Sequence, residues 1–404
     1  MSNQSGEFWK ISGSSTQLEP DLLEVAKQLG LAYQVLGEFL EGKSDPSNQP
    51  NFIALTGPVQ EWLRAVETVR RRFGRVRPFT FGVLSELPSE SEAQRLVQQN
   101  RLNGVLLARK EFSEFHFYTP EGGAVPLESV EELNSFLKKR AAVRWFETKA
   151  KPELLLDLSA SSHQLAARLL LMAQESGLLR DSNGNVAVRD GSEQGEWNDR
   201  FVVSPRGVNK GKLLPTELCL AELDRSEMRV WCRDLSRKSS IDAGVIGSTF
   251  LRSSRTLAAL HFHPGSALVI PEAKTIFPFP CGTAEEADEL FKALQQCKAT
   301  PELGALVEMV HHGYFAAFTA TGVEAFLNQW KLCLADHTTH LQRIDKLSVL
   351  TDGKRYPLIY GAKIVGVFLV HPDGWGSIYL LQSERGRGIA AAYAQQVANR
   401  GLQI

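Results

Sequence analysis

Apolar residues recur along this chain with two periods, and the switches between them divide it into segments. The stretch EPDLLEVAKQLGLAYQVLGEFLEG (19–42) spaces its apolar residues as a helix does, so 1–50 reads as a helical N-terminal segment. The polar, Pro/Asn-rich KSDPSNQPN closes it. From Asn51 the pattern changes. NFIALTG, PFTFGVLS, NGVLLAR and EFHFYT are expected to form strands. VQEWLRAVETVRRRFG, ESEAQRLVQQN and LESVEELNSFLKKRA carry helical spacing, which makes 51–150 an α/β domain. A new unit opens near Leu154 with SSHQLAARLLLMAQESGLLR, an amphipathic helix for which Ser161 or Ser162 is expected to be the N-cap. Strands and helices continue to about 345. The tail, 346–404, holds strand-like runs in LIYGAKIVGVFLVHPDGWGSIYLL followed by a Gly/Arg loop and a helix.

Composition narrows the function classes. The 404 residues carry 45 basic and 46 acidic side chains, a net charge of -1, which gives no global attraction to nucleic acid or an anionic membrane. No apolar run reaches the roughly 18 residues that a membrane span needs. The opening MSNQSGEFWKISGSS lacks the layout of a signal peptide. All five cysteines (Cys219, Cys232, Cys281, Cys297, Cys333) lie in the second half without a CxxC pair, so they are expected to be reduced thiols of a cytoplasmic protein. In its late order (helix, NGVLLARKEF, strand, closing helix with a basic end) the 51–150 region resembles redox-inactive thioredoxin-like modules of the protein disulfide isomerase type. No cysteine precedes Cys219, which excludes thiol redox chemistry there and leaves a structural or docking role.

The candidate chemistry concentrates in LAALHFHPGSALVIPEA (257–273). In a strand, residues i and i+2 share a face, so His261 and His263 project into one space and Phe262 into the other. Hydrophobic packing gives no reason for two imidazoles here, whereas two neutral imidazoles side by side can share a metal ion. VEMVHHGYFAAF offers His311 and His312 as a third ligand, ahead of Gly313 in a tight turn. Three histidines and an open position make a catalytic zinc site.

Six motifs in order carry a specific resemblance: GLLRDSNGNVAVRD, FVVSPRGVNKGKL, RKSSIDAG, LHFHPGSALVI, FPFPCGTAEEADELFKAL and HHG. Together they are similar to the class II aldolase/adducin head family over 154–345. The resemblance implies a central three-layer α/β/α domain. It implies Zn2+, or another divalent transition metal, held by His261, His263 and the histidine directly before the glycine, His312. Gly184 and Asn185 correspond to the family's phosphate loop, and Gly207, Ser239 and Ser240 would add to that cradle. The family's catalytic glutamate directly follows its paired serines; here Ile241 takes that place. Asp242, one step later and nineteen residues before His261, is the expected acid/base. The competing reading makes Asp242 a cap of the following helix. Arg206 stands where many relatives carry a small residue, and would either clamp a phosphate or carboxylate bidentately or point to solvent.

The implied activity is a zinc-dependent aldolase-type lyase acting on a small phosphorylated sugar or hydroxycarbonyl compound through a metal-stabilised enediolate. Sugar-phosphate epimerisation and dehydration use the same groups. Family members often form symmetric tetramers, so a homo-oligomer is expected. A non-catalytic adducin-like assembly module is the rival reading, although adducin-type heads lack the zinc histidines. A third reading comes from SERGRGIAAAYAQQ, which resembles the pyrophosphate loop of GNAT acetyltransferases, with Arg385, Gly388 and Ala390 in an Arg-x-x-Gly-x-Ala pattern. Arg385 and Arg387 at a helix N-terminus would suit the pyrophosphate of acetyl-CoA. The 346–404 tail is short for a whole acetyltransferase and reads as a partial GNAT-like α/β segment. His337 and His340 are expected on a helix surface, with metal binding as the alternative, and Lys210 and Lys212 in a solvated loop, with added positive charge near the phosphate as the alternative.

Overall fold

The computed structural model describes residues 8–12, 32–35 and 52–399 except 56–58, 74–78, 85–88, 109–114, 153, 155–159, 192–196, 234, 264–266, 299–300, 344–353, 371–375 and 386–387. The chain divides into two units, Met1–Val143 and Arg144–Ile404.

In the first unit a seven-stranded sheet runs β1 (Phe8–Ser12), β2 (Ala32–Val35), β3 (Phe52–Leu55), β4 (Phe79–Leu84), β5 (Val105–Ala108), β6 (Phe115–Tyr118) and β7 (Ala124–Leu127). Its order is β2-β1-β3-β4-β5-β6-β7, with the first five strands parallel and the last two added as antiparallel partners. Helices α1 (Val59–Phe73), α2 (Glu90–Asn100) and α3 (Val130–Ala141) accompany it. Trp62, Val66 and Val69 of α1 and Ala93 and Val97 of α2 share one core with Ile53, Leu55, Val105 and Leu107. Phe81 of β4 and Phe117 of β6 lie outside that core: the Phe117 ring is 6.0 Å from Phe81 and 5.2 Å from Phe136 of α3. Ser129 caps α3, and three basic residues, Lys138, Lys139 and Arg140, end it.

Two expectations change here. Phe8–Ser12 and Ala32–Val35, in the 1–50 segment read as helical, are both strands; the rest of that segment lies outside the described residues. Consecutive parallel strands stand side by side in the 2-1-3-4-5 order of doubly wound folds. The thioredoxin-like likeness is therefore confined to the closing hairpin and its helix.

The second unit is built on a nine-stranded sheet. Its strands are β8 (Glu147–Ala150), β9 (Asn185–Gly191), β10 (Trp197–Val203), β11 (Cys219–Asp224), β12 (Arg229–Cys232), β13 (Ala258–Phe262), β15 (Ala273–Lys274), β16 (Gly304–Met309) and β17 (Gly313–Phe318), while β14 (Leu268–Ile270) leaves for a second sheet. The order β15-β16-β17-β13-β9-β10-β11-β12-β8 is antiparallel except at its two edges. Period-two burial on both faces explains why β13 reads as a continuous apolar run. Val186, Val188, Ala258 and Leu260 face α4 (Ala160–Glu175) and α7 (Ala320–Arg343). Ala187 and Ala259 face α5 (Ala243–Arg252) and α6 (Ala284–Gln296). Helix α4 begins at Ala160, before either expected cap. Ser162 is buried, and its hydroxyl donates to the Arg189 carbonyl of β9 at 3.3 Å.

The domain boundaries also differ from those expected. β8 pairs with β12, so the second unit begins before Leu154. The tail does not stand apart: β18 (Lys354–Tyr360) runs parallel to β14, and β19 (Lys363–Val370) and β20 (Gly376–Leu380) complete that four-stranded sheet. Leu268 of β14 shares a core with Tyr393 and Val397 of α8 (Ile389–Asn399).

Candidate metal centre

Strand β13 is held between β9 and β17, and its register sets His261 opposite Asn185 on one side and Phe315 on the other. His261 is two residues beyond Ala259, on the face covered by α5 and α6. β13 ends at Phe262, so His263 lies just past the strand rather than within it. Its ring nevertheless lies 4.9 Å from that of His261, tilted by 59°. The third imidazole arrives from the turn before β17. His311 takes φ 56° there and Gly313 takes φ 157°, where a Cβ would lie 2.5 Å from the Phe262 carbonyl. That close approach places His312, not the exposed His311, 4.6 Å from the His261 ring and 5.3 Å from His263. One ligand nitrogen from each of the three lies within 4.8 Å of the others.

The hydrogen bonds fix which nitrogens carry lone pairs. His261 Nδ1 donates to the Tyr314 carbonyl at 3.0 Å, and a carbonyl only accepts, so Nε2 bears the lone pair. That Nε2 is buried and has no hydrogen-bond partner among the described residues. His312 Nδ1 faces Glu286 Oε1 at 3.1 Å. An ionised Glu286 accepts from Nδ1–H and leaves the lone pair on Nε2. Burial, with the neighbouring rings adding, pushes His261 down to about 4 and His263 to about 2, so both are neutral at neutral pH. Neutral nitrogen donors converging on a buried orphan lone pair fit a divalent transition metal such as Zn2+.

Asp242 sits in the turn before α5 with its side chain buried, and makes no capping hydrogen bond to that helix. The carboxylate instead points into the cluster. Oδ2 accepts from Asn185 Nδ2 at 2.5 Å and from Ser240 Oγ at 3.4 Å, and Oδ1 accepts from the Cys281 thiol at 2.5 Å. Burial alone would raise its pKa; His261, His312 and these hydrogen bonds outweigh that and hold it below the usual carboxylate range.

The remaining expected residues divide into two groups. Gly184 takes φ 80°, and a Cβ there would meet the His261 carbonyl at 2.7 Å, so this glycine lets the 181–185 turn lie against the histidine strand. Asn185 and Ser240 touch Asp242 directly. Ser239 is wholly buried and its hydroxyl has no partner among the described residues. Arg206 and Gly207 are exposed, joined to this group through the backbone: Arg206 N donates to the Lys238 carbonyl at 2.9 Å and Ser240 N to the Ser204 carbonyl at 3.0 Å. The Arg206 guanidinium reaches Thr148 Oγ1 at 3.4 Å.

Three further residues stand at the cluster: Lys210, for which a solvated loop was the favoured reading, and Glu286 and Cys281, which were not anticipated as parts of a site. Lys210, expected in a solvated loop, is 1% exposed, with Nζ donating to the Pro205 carbonyl. Burial brings its pKa down to about 8, opposed by Asp242. Lys212 is exposed. Glu286 is buried, accepts from Gly282 N–H at 2.7 Å as well as facing His312, and is pushed up to about 7 by burial. TAEE at 283–286 carries the capping signature that could have flagged it, and Thr283 Oγ1 does accept from Glu286 N. Cys281 is the third.

The tail's Arg385 donates Nε to the Leu380 carbonyl at 3.1 Å and lies 5.5 Å over the Tyr379 ring. Gly388 takes φ 71° and Ala390 is exposed, while Arg387 lies outside the described residues. So do the side chains of His337 and His340 on α7. No helix among the described residues is long and apolar enough to cross a membrane.

The chain is similar to solved structures of the class II aldolase superfamily. An L-fuculose 1-phosphate aldolase is 14% identical, with 48% of this chain and 92% of that one covered and a TM-score of 0.30. The L-fuculose 1-phosphate aldolase of Glaciozyma antarctica is 13% identical, covering 62% of this chain and 94% of its own, with a TM-score of 0.30. YgbL of Escherichia coli, described as a putative aldolase/epimerase/decarboxylase, is 15% identical over 43% of this chain and 89% of its own, with a TM-score of 0.29. No family model matches the sequence. No curated protein matches it either.

Proposed function

We propose that the second unit is a metal-dependent aldolase-type lyase for a small phosphorylated sugar or related hydroxycarbonyl compound, with His261, His263 and His312 holding Zn2+ or another divalent transition metal. The observation that carries this reading is the buried His261 Nε2 lone pair, without a hydrogen-bond partner among the described residues and grouped with ligand nitrogens of two other histidines. In an assembly module, that nitrogen would sit desolvated for no return. A bound cation would supply Lewis acidity toward substrate oxygens.

The protein's own groups do the rest. Asp242 is the proton carrier: its carboxylate lies beside the imidazoles, held ionised at neutral pH and ready to accept. Asn185 fixes one carboxylate oxygen and so aims the other. Gly184, Asn185, Arg206, Gly207, Ser239 and Ser240 make up the proposed phosphate side. Lys210 places a buried ammonium behind the Gly207 turn, where it favours an anion. Epimerisation or dehydration would use the same proton transfer.

The test is a panel of ketose phosphates assayed for aldehyde release by the wild type and by Asp242→Asn. The variant is expected to keep its metal and to lose about 10²–10⁴-fold in turnover. Normal turnover by the variant would remove Asp242 from the role of acid/base. Absence of a transition metal from purified wild type that has been offered zinc would remove the metal reading.

A further inference from the structure

The cluster contains a second donor set that three imidazoles leave unused. Cys281, Asp242 and His312 place a sulfur, a carboxylate oxygen and a ring nitrogen within 4.8 Å of one another, and His312 belongs to both sets. The thiol is held there by a built frame. Gly282, next to it, takes φ 82°, and a Cβ at that position would lie 2.6 Å from the Ile241 carbonyl. The thiol-bearing turn therefore packs directly against the residue before Asp242. Glu286 closes the frame: Oε2 accepts from Gly282 N–H at 2.7 Å while Oε1 faces His312 Nδ1 at 3.1 Å. One buried carboxylate thus sets the position of the thiol relative to the third imidazole. An independent sign of a ligand is His261 Nε2, in a residue 2% exposed, without a hydrogen-bond partner among the described residues.

We propose that Cys281 is a fourth protein ligand of the cation in the substrate-free protein. The inference rests on the metal reading above and adds one ligand to it. When the bond forms, the S–H proton leaves for bulk water by way of Asp242 Oδ1, which the thiol already faces at 2.5 Å and which stays ionised, and a sulfur lone pair goes to the cation. When the bond breaks, a proton taken up from water returns to sulfur by the same route. No oxidant or reductant is involved. A thiolate beside three imidazoles selects zinc or cobalt over magnesium, calcium or manganese.

Cobalt(II) reads both claims separately. The 404-residue chain is stripped with a chelator and titrated with cobalt(II) alone. The visible bands of a low-coordinate cobalt site are expected together with a near-ultraviolet thiolate-to-cobalt charge-transfer band. Cys281→Ser is expected to keep the visible bands and lose the charge-transfer band. In the wild type, cobalt is also expected to protect Cys281 from iodoacetamide, followed by peptide mass spectrometry, a readout that needs no variant to fold. Visible bands without charge transfer, persistence of charge transfer in Cys281→Ser, or unchanged alkylation of Cys281 would overturn the fourth ligand and leave the three-histidine site standing. No cobalt bands at all in the wild type would overturn both.

Discussion

Replacing Glu286 with alanine is the sharpest test of how the centre is supported. The wild-type carboxylate faces His312 Nδ1 at 3.1 Å and accepts from Gly282 N–H at 2.7 Å. The substitution leaves two buried donors unpaired, each costing about 1–3 kcal/mol, so the metal-free fold should weaken by about 2–6 kcal/mol. The lower half of that range is expected, because burying the carboxylate itself is unfavourable and already pushes it up to about 7. If His312 ligates as proposed, loss of its outer partner should independently lower zinc affinity by about 10–100-fold. Glu286→Gln keeps one acceptor oxygen but turns an amide toward the second donor, and should fall between the two. Urea unfolding in chelator gives the first quantity, and competition for zinc against a chromophoric chelator gives the second. A wild-type urea midpoint together with wild-type zinc affinity in Glu286→Ala would refute the reasoning. A lowered midpoint with unchanged affinity would reduce Glu286 to a packing role.

Three further outcomes are expected. Gly184→Ala forces a Cβ at φ 80° to within 2.7 Å of the His261 carbonyl, and should cost about 1–3 kcal/mol and weaken zinc binding; an unchanged unfolding midpoint would contradict it. Asn185→Ala removes the 2.5 Å bond to Asp242 and should lower turnover while zinc stoichiometry stays at wild type; loss of zinc instead would make Asn185 part of the metal support. In the metal-free protein, His261 and His263 titrate near 4 and 2 when folded against 6.5 unfolded, so their stabilisation is complete above 6.5 and lost as pH falls, while Glu286, raised from 4.5 to about 7, stabilises fully below 4.5 and loses this as pH rises through 7. Between pH 6 and 5 the unfolded chain thus holds about two protons on these groups and the folded chain about one, and stability should fall by about 1.4 kcal/mol per unit on acidification; Glu286→Gln should steepen this to about 2.7, and an equal slope in both proteins by urea unfolding would refute the assignment.

What the sequence disclosed and what it withheld follow from the range of the interactions. The pairing of His261 with His263 was legible because a two-residue period is local, whereas His312 was chosen over His311 only through the resemblance, in which the third ligand directly precedes a glycine, here Gly313. The strands of the tail were legible for the same reason, but their partner was not: Leu358 pairs with Leu268, far earlier in the chain, and no periodicity encodes a partner. Ala32–Val35 shows the opposite failure, since its spacing suits a helix while pairing with β1 makes it a strand.

The same distinction explains the supporting residues of the centre. Glu286 had a sufficient local explanation in the TAEE cap, Cys281 read as an isolated reduced thiol, and Lys210 read as a loop cation. Each is placed by a tertiary partner: Glu286 by His312, Cys281 by Asp242, Lys210 by the Pro205 carbonyl. Asp242 is the informative middle case. Sequence offered two readings, a helix cap or a proton carrier, and both put an acidic side chain at the start of α5. The choice between them turns on where the carboxylate finds its donors. It finds them in Asn185, Ser240 and Cys281 rather than in the amides of its own helix, which spends a helix-capping residue on the cluster. Forgoing the cap costs the helix about 1 kcal/mol, which the bonds from Asn185, Ser240 and Cys281 offset, and they fix the carboxylate in the cluster instead of at the helix end.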